Sequence, residues 1–536
     1  MRQYHPTALA DAPAAVAAEP EPEKVSIKAD IDYRSNYKTN LFSNVMIFVL
    51  NIIIGLLLPS FFVKSLGVAV FGIVSIGLSL YSYVNIITIA INGSLSRFLM
   101  MDMQRDDVEG INHTFNTAFW TQLFTIVVLV IPVFLGCIFY VDRLLNIPTG
   151  LVGDTRELFI LMSISFSLLI IAGVFTSVAN AYNKVYLKNI ADRIALLTYA
   201  VLSPCLILAF GKSIVFIGIA YAIGSVATLL YSIKIWKRLS PYIKVSVKGF
   251  RKDKLKEIFG LGGWLTVNHV ATVLFLNMDL FIINIYLGPA ASGKFAAVMQ
   301  WGVLIRALGA VVSGGIGTAL VLLYTQGKTE KMAELSQRIV RLLAIFLAFP
   351  VGIICCFSKS ILFFWLGKEY VALAPLMNIL TFHLIVNVSV IPLLSIFQAY
   401  NKAKTPGIIT LILGVMNFGL SLGLVKYTDL GLYAVAIASM IVLTMKNLLF
   451  TTYYASHLMQ VKNGYFKALL PGILTLAVIG ILGTACLYFV NQHNIFQVGF
   501  SLAIAGGGGA LIAYRFIIPA ADRQFILATF LKKKAA

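Results

Sequence analysis

From Leu41 almost to the C-terminus, this chain repeats one pattern: an apolar run of about 20 residues, a short polar connection, then another apolar run. A run of that length makes a helix that crosses the ~30 Å hydrocarbon layer of a bilayer. Hydrocarbon offers no water to backbone N–H and C=O groups, so only helices and closed barrels span it. A barrel strand would alternate apolar and polar residues over about 10 positions. Ile214–Tyr231 is instead apolar nearly all round. The expected fold class is therefore an all-α polytopic membrane protein. About fourteen transmembrane helices are expected, near 41–63, 69–93, 115–140, 156–179, 189–210, 213–233, 261–286, 291–324, 338–358, 373–399, 405–427, 431–455, 467–490 and 497–518. Composition agrees: 59% of residues are hydrophobic and 12% charged, against about 25% charged in a soluble domain.

The formal charge is +20. In a soluble protein that excess would point to nucleic acid. In a chain of spanning helices it is the positive-inside rule, and no nucleic-acid partner is expected. The richest connection, Lys234–Lys256, holds nine Lys and Arg residues, and Lys532-Lys533-Lys534 sits near the C-terminus. Placing both inside puts both termini in the cytoplasm. The five cysteines all lie in apolar segments without metal-ligand spacing, so no metal site is expected. Residues 1–36 are rich in Ala, Pro and Glu and read as a disordered cytoplasmic tail. Every connection is too short for an extramembrane catalytic domain, and no phosphate-binding Gly-rich loop with Lys-Ser/Thr occurs. An enzyme is not expected.

The chain also repeats itself on a larger scale. Leu66-Gly67-Val68-Ala69-Val70-Phe71-Gly72 matches Leu287-Gly288-Pro289-Ala290-Ala291-Ser292-Gly293 at an offset of 221, and Asn180-Ala181-Tyr182-Asn183-Lys184 matches Gln398-Ala399-Tyr400-Asn401-Lys402 at an offset of 218. Six spans, an even number, separate the copies, so both have the same topology. The expected organisation is an N-lobe of six helices over 37–235 and a basic linker over 236–256. A C-lobe of six helices follows over 257–460, then two further helices over 461–520 and a basic tail over 521–536. Folds of this kind place substrate between the lobes near mid-membrane.

One stretch is anomalous. Gly260–Tyr324 carries Asn268, His269, Asn277, Asp279, Gln300 and Arg306 inside two apolar segments. A charge at a helix centre costs roughly 2.5–3.5 kcal/mol on insertion scales, so it faces protein or a wet cavity.

Several segments resemble a known family. Ala90-Ile91-Asn92-Gly93-Ser94-Leu95-Ser96-Arg97-Phe98, at the end of the second span, resembles an A-x-N-S-x-x-x-R-[FY] pattern of bacterial lipid-linked oligosaccharide flippases, with Gly93 where Ser is usual. Gly262-Gly263-Trp264 with Asn268, Asp279 and Leu287-Gly288 is similar to that family's seventh span. Ala172-Gly173-Val174-Phe175 followed by Leu187-Lys188-Asn189-Ile190 is similar to its fourth-to-fifth connection. The family is the polysaccharide-transporter branch of the multidrug/oligosaccharidyl-lipid/polysaccharide exporter superfamily. The resemblance implies two six-helix lobes around a V-shaped cavity, two additional C-terminal helices, and a location in the bacterial inner membrane. It implies a cargo, an undecaprenyl-diphosphate-linked oligosaccharide moved between leaflets. It also implies membrane lipids as surroundings and a polysaccharide polymerase and glycosyltransferases as partners.

A diphosphate needs positive charge and donors, which Arg supplies in a bidentate fork. Arg97 and Arg306 are the expected headgroup contacts, and Lys446 in the twelfth span is a further expected substrate contact that either faces the cavity or pairs locally. Asn85, Asn268 and Gln300 are the expected sugar contacts, with Asn44, Asn51, Asn116 and Asn277 as weaker ones. Asp279 is the expected proton or sodium coupling site, or else a structural partner of Arg306. No other cofactor is expected. His269 and His383 read as structural hydrogen-bonding residues. Rival readings are a cation-coupled multidrug exporter and a lipid II flippase of the same superfamily, then a membrane-embedded enzyme or a scaffold.

Overall fold

The computed structural model describes residues 36–461, 464–489 and 494–531. The expected N-terminal tail lies outside them up to residue 35, as do Lys532-Lys533-Lys534. The chain is built of helices in the order α1 (Tyr37–Leu66), α2 (Val68–Gln104), α3 (Val108–Phe139), α4 (Val152–Ala181), α5 (Val185–Phe210), α6 (Val215–Leu239), α7 (Lys252–Leu287) and α8 (Pro289–Thr325). There follow α9 (Thr329–Cys356), α10 (Lys368–Ala399), α11 (Lys404–Tyr427), α12 (Leu432–Leu458), α13 (Gly464–Tyr488), α14 (Ile495–Ile517) and α15 (Ala520–Leu531). Among the described residues there is no strand. Among the described residues thirteen helices are long and apolar enough to span, against about fourteen expected. The expected second span falls on α2, whose apolar stretch among the described residues is the shorter Val68–Tyr83.

The internal repeat is written into the backbone. α2 and α8 are each 37 residues long, and each is entered from a glycine in the left-handed region, Gly67 at φ 94° and Gly288 at φ 88°. No Cβ opposes such a φ in glycine, which is why L-G recurs. Asn183 and Asn401 adopt φ 55° and φ 52°, and Asn tolerates this region better than most residues. Each is followed by the same closing bond, Lys184 N–H to Ala179 O and Lys402 N–H to Phe397 O. Asp106 and Gly327, at φ 53° and φ 71°, end α2 and α8 alike.

Residues 37–239 meet the second half mainly near the end where the chain turns at Gly67, 140–151, Gly288 and 357–373. α2 and α8 nearly touch there: a Cβ on Gly72 would lie 2.5 Å from the Pro289 carbonyl oxygen, and one on Gly293 would overlap that of Val68. Trp365 donates its indole N–H to Leu56 O at 2.6 Å and accepts at its carbonyl from Ser60 Oγ at 2.6 Å. Asn146 donates from its backbone to Asn284 Oδ1 at 2.9 Å and from its amide to Ile285 O at 2.7 Å. One buried apolar cluster spans both halves, with Phe62, Ile73 and Phe159 from the first and Phe295, Ala297 and Leu376 from the second. Toward the opposite end the buried apolar residues separate. Leu95, Leu99, Phe115 and Val178 form one group, joined by Ile258 from the start of α7, and Leu320, Val340, Leu393 and Phe397 another.

The expected linker over 236–256 is shorter than its sequence limits, because α6 runs to Leu239 and α7 starts at Lys252. It is fastened to α3. Asn112 accepts from Lys244 N–H at 2.8 Å, and Asn116 accepts from Ser246 N–H at 2.7 Å. Trp120 donates to Ser246 O at 3.1 Å. Four helical residues rise about 6 Å, and two extended residues about 6.6 Å. The spacing N-x-x-x-N therefore keeps pace with linker residues 244 and 246, and Trp120, one turn on, holds Ser246 from its other side. The C-terminal segment is also ordered: α15 buries Asp522 against Arg338 and Arg341 of α9.

Candidate substrate and coupling site

α7, α8, α10, α11 and α12 place polar side chains around two adjoining spaces in the second half. The larger is a cavity of about 200 Å³ lined by Arg306, Lys446, Asn387, Asn447, Thr272 and Thr451 among apolar neighbours. It contains two cations and no carboxylate among its lining residues. Arg306, on α8, is half-buried. Its guanidinium lies back along its own helix: a Cβ on Gly302, one turn earlier, would be 3.3 Å from Nη1. That is the direction helical side chains take. Lys446 lies in a π-helical turn, Met445–Thr451, within α12. Such turns insert a residue and re-aim the side chains around them, so no 3.6-residue pattern would place Lys446. Asn387 anchors the opposite wall. Its amide is 2.6 Å from His383 Nδ1, and its carbonyl accepts from Asn447 Nδ2 at 3.1 Å.

The smaller space, about 20 Å³, is lined by Asp279, Arg306, His383 and Ser439. Asp279, on α7, is only 5% exposed. Its Oδ2 accepts from Ser439 Oγ of α12 at 2.9 Å. Ser439 in turn meets Asn417 of α11, whose amide donates to Ser439 Oγ at 3.2 Å. Asp279 Oδ1 is buried and makes no hydrogen bond within the protein. Among the described residues no ion pair within 4 Å joins Asp279 to Arg306, although both line this space. Arg306 is common to both spaces.

The remaining expected site residues are dispersed. Arg97 is exposed at the far end of α2, and Asn85 is half-buried on the same helix. Neither lines the two spaces. Gln300 is half-buried on α8, its amide directed at Gly55 of α1, where a glycine makes room for it. The side chains of Asn268 and His269 lie outside the described residues. Asn44 and Asn51 serve as ties between α1 and α5: Asn44 Oδ1 accepts from Asn189 at 2.8 Å, and Asn51 Oδ1 accepts from Arg193 at 2.8 Å. Asn116 holds the linker, and Asn277 donates back to Val273 O at 3.3 Å in its own helix. At Asn44 and Asn51 the amides act as glue between apolar helices. Sequence reasoning missed Ser439, Asn417, Asn387 and Asn447, which are ordinary residue types in unremarked spans. It also missed Arg193, a cation within α5 that only its polar character inside an apolar run would have flagged.

The family model for "Polysaccharide biosynthesis protein" matches residues 37–321, more than half of the chain. The chain belongs to this family. It is 29% identical over 505 residues to the uncharacterized membrane protein EpsK of Bacillus subtilis (strain 168), covering 93% of this chain and 99% of the relative. It is 24% identical over 359 residues to a putative O-antigen transporter of Shigella flexneri, covering 65% of this chain and 81% of the relative. Among solved structures it is similar to the lipid II flippase MurJ in an inward closed conformation, with a TM-score of 0.65 and 17% identity over 89% of this chain and 99% of that one. An inward-facing multidrug resistance MATE family transporter of the MOP superfamily gives a TM-score of 0.62 and 16% identity, over 79% of this chain and 99% of that one. At these identities the structural matches establish the fold. The chain is a multi-pass membrane protein of this family, with the fold of these transporters.

Proposed function

We propose that the chain moves an undecaprenyl-diphosphate-linked oligosaccharide from the cytoplasmic to the outer leaflet of the bacterial inner membrane, with both termini cytoplasmic, for surface-polysaccharide assembly. The observation that carries this reading is the cavity that Arg306 and Lys446 share, which two cations and no carboxylate line. Hydrogen bonds to an ionised partner contribute about 1.5–3 kcal/mol each, and a diphosphate offers oxygens to both cations. An exporter of organic cations would want the opposite sign in that cavity. Asn387 and Asn447 supply amides next to the cations for the sugar or phosphate oxygens. Arg97, exposed at the cytoplasmic end of α2 in this orientation, would meet the headgroup on entry. The polymerase and glycosyltransferases of the same assembly line would be the functional partners.

The lobes 37–235 and 257–460 would rock so that the packed end at Gly67 and Gly288 parts as the other end closes. A cargo shifts such an equilibrium only by its differential affinity for the two states. Asp279, with Ser439 and Asn417, is the proposed proton or sodium site. Arg306 borders both spaces, so an ion beside Asp279 and an anion beside Lys446 would compete for, or release, one guanidinium. That is a physical route from ion binding to cargo release.

Arg306→Ala and Lys446→Gln, made separately and together, test the reading in cells that produce the polymer. Export should fall at least tenfold for each single variant and be abolished in the double variant, with membrane insertion unchanged. Full polymer output from the double variant would refute the assigned site. Loss of peptidoglycan precursor transport with intact polymer output would move the cargo to lipid II.

A further inference from the structure

A groove of about 880 Å³ runs along the outside of the bundle between α1 and α5, away from the cation cavity. Leu50, Ile53 and Leu57 of α1 and Val201 of α5 line it, Trp365 closes one side where it bonds α1 at Leu56 and Ser60, and Lys64 lies in the last turn of α1. Leu57 and Val201 are 66% and 64% exposed, so the apolar lining is open from the side. From Leu50 to Lys64 the helix rises about 21 Å at 1.5 Å per residue. Half of a ~30 Å hydrocarbon layer is about 15 Å. The groove therefore covers the depth of one leaflet and carries a cation where that leaflet's headgroups lie. Among the described residues no ion pair engages Lys64, and no carboxylate lines the groove.

We propose that this groove is a binding site for one anionic phospholipid, with an acyl chain along Leu50–Leu57 and its headgroup phosphate at Lys64. The depth selects the occupant: a one-leaflet groove suits an acyl chain, and a long polyprenyl tail would overrun it. The position gives the lipid a consequence. Trp365 belongs to the second half, and the α1 carbonyl of Leu56 accepts from its indole N–H. A lipid seated here touches both halves while that end is closed, and would lose the Trp365 wall on opening. Occupancy then favours the closed-end state by its differential affinity. This site is independent of the cargo reading.

The test uses the full-length protein purified in mixed micelles with phosphatidylglycerol or phosphatidylcholine, and native mass spectrometry of retained lipid. The wild type should keep one phosphatidylglycerol with about fivefold preference over phosphatidylcholine. Lys64→Gln should erase the preference and leave the fold intact. Val201→Trp, which fills the groove from its exposed side, should lower retention of both lipids. Equal retention of the two lipids by the wild type would overturn the proposal, as would a preference that survives Lys64→Gln. Displacement of phosphatidylglycerol by added undecaprenyl phosphate would assign the groove to a polyprenyl tail and overturn it as well.

Discussion

At the scale of single residues, charge decides what the second half can hold. Arg306 and Lys446 face one cavity without a carboxylate, whereas Asp279 is buried next door with Ser439 on one oxygen and nothing on the other. Buried charges of opposite sign normally pair, since desolvation costs several kcal/mol per ion. Here Asp279 and Arg306 share a neighbourhood, and among the described residues no ion pair joins them. Asp279→Asn keeps the size and the Ser439 contact but removes the charge. We expect transport by this variant to lose its dependence on pH and sodium, measured as uptake of lipid-linked cargo into vesicles with imposed gradients. Unchanged ion profiles would remove Asp279 from the coupling role. Ser439→Ala should weaken the same dependence about fivefold, the worth of one hydrogen bond near 1 kcal/mol. Arg306, Lys446 and Asp279 were legible in the sequence because a charge in an apolar run is rare and costly. Ser439, Asn417, Asn387 and Asn447 were not, since hydroxyls and amides recur throughout these spans. Their significance comes from the convergence of α7, α10, α11 and α12. For the same reason the sequence does not separate a sugar contact from a tie at Asn44, Asn51 and Asn116, each of which bonds a neighbouring segment.

At the scale of elements, two devices set the geometry. The first is the pair of left-handed glycines, Gly67 and Gly288, that start two 37-residue helices side by side. The motif match at an offset of 221 was readable in the sequence; the near-contact of Gly293 with Val68 across the halves was not, because it depends on how the copies meet. The second device is the α3 face that binds the linker. Asn116 satisfies both Lys244 O and Ser246 N–H. Asn116→Ala would leave two backbone groups without partners, at about 1–3 kcal/mol each where they are buried. The expected outcome is a melting temperature in detergent lowered by several degrees and faster proteolysis within 240–251. A variant as stable and as protease-resistant as the wild type would mean that the linker is held elsewhere. The linker's high charge was visible from the start, but its fastening was hidden. A basic run signals a membrane side, and nothing in its composition reveals a helix spaced to match it.

At the scale of the molecule, the fold class was legible because a bilayer permits so few solutions: twenty apolar residues can only be a spanning helix. The arrangement of the halves was legible only as symmetry. What the structure adds is asymmetry between the two ends. Trp365 with Ser60 and Leu56, Asn146 with Asn284, and the α2–α8 approach all lie near one end, while the apolar cores part toward the other. If the protein is a flippase working by alternating access, that closed end must open in every cycle. The most direct measurement is flipping of a lipid-linked oligosaccharide by the reconstituted protein with Asn146→Cys and Asn284→Cys joined by a short, cleavable thiol crosslinker. The account predicts that flipping stops when the link is made and returns when it is cleaved. Undiminished flipping with the closed end held shut would contradict it.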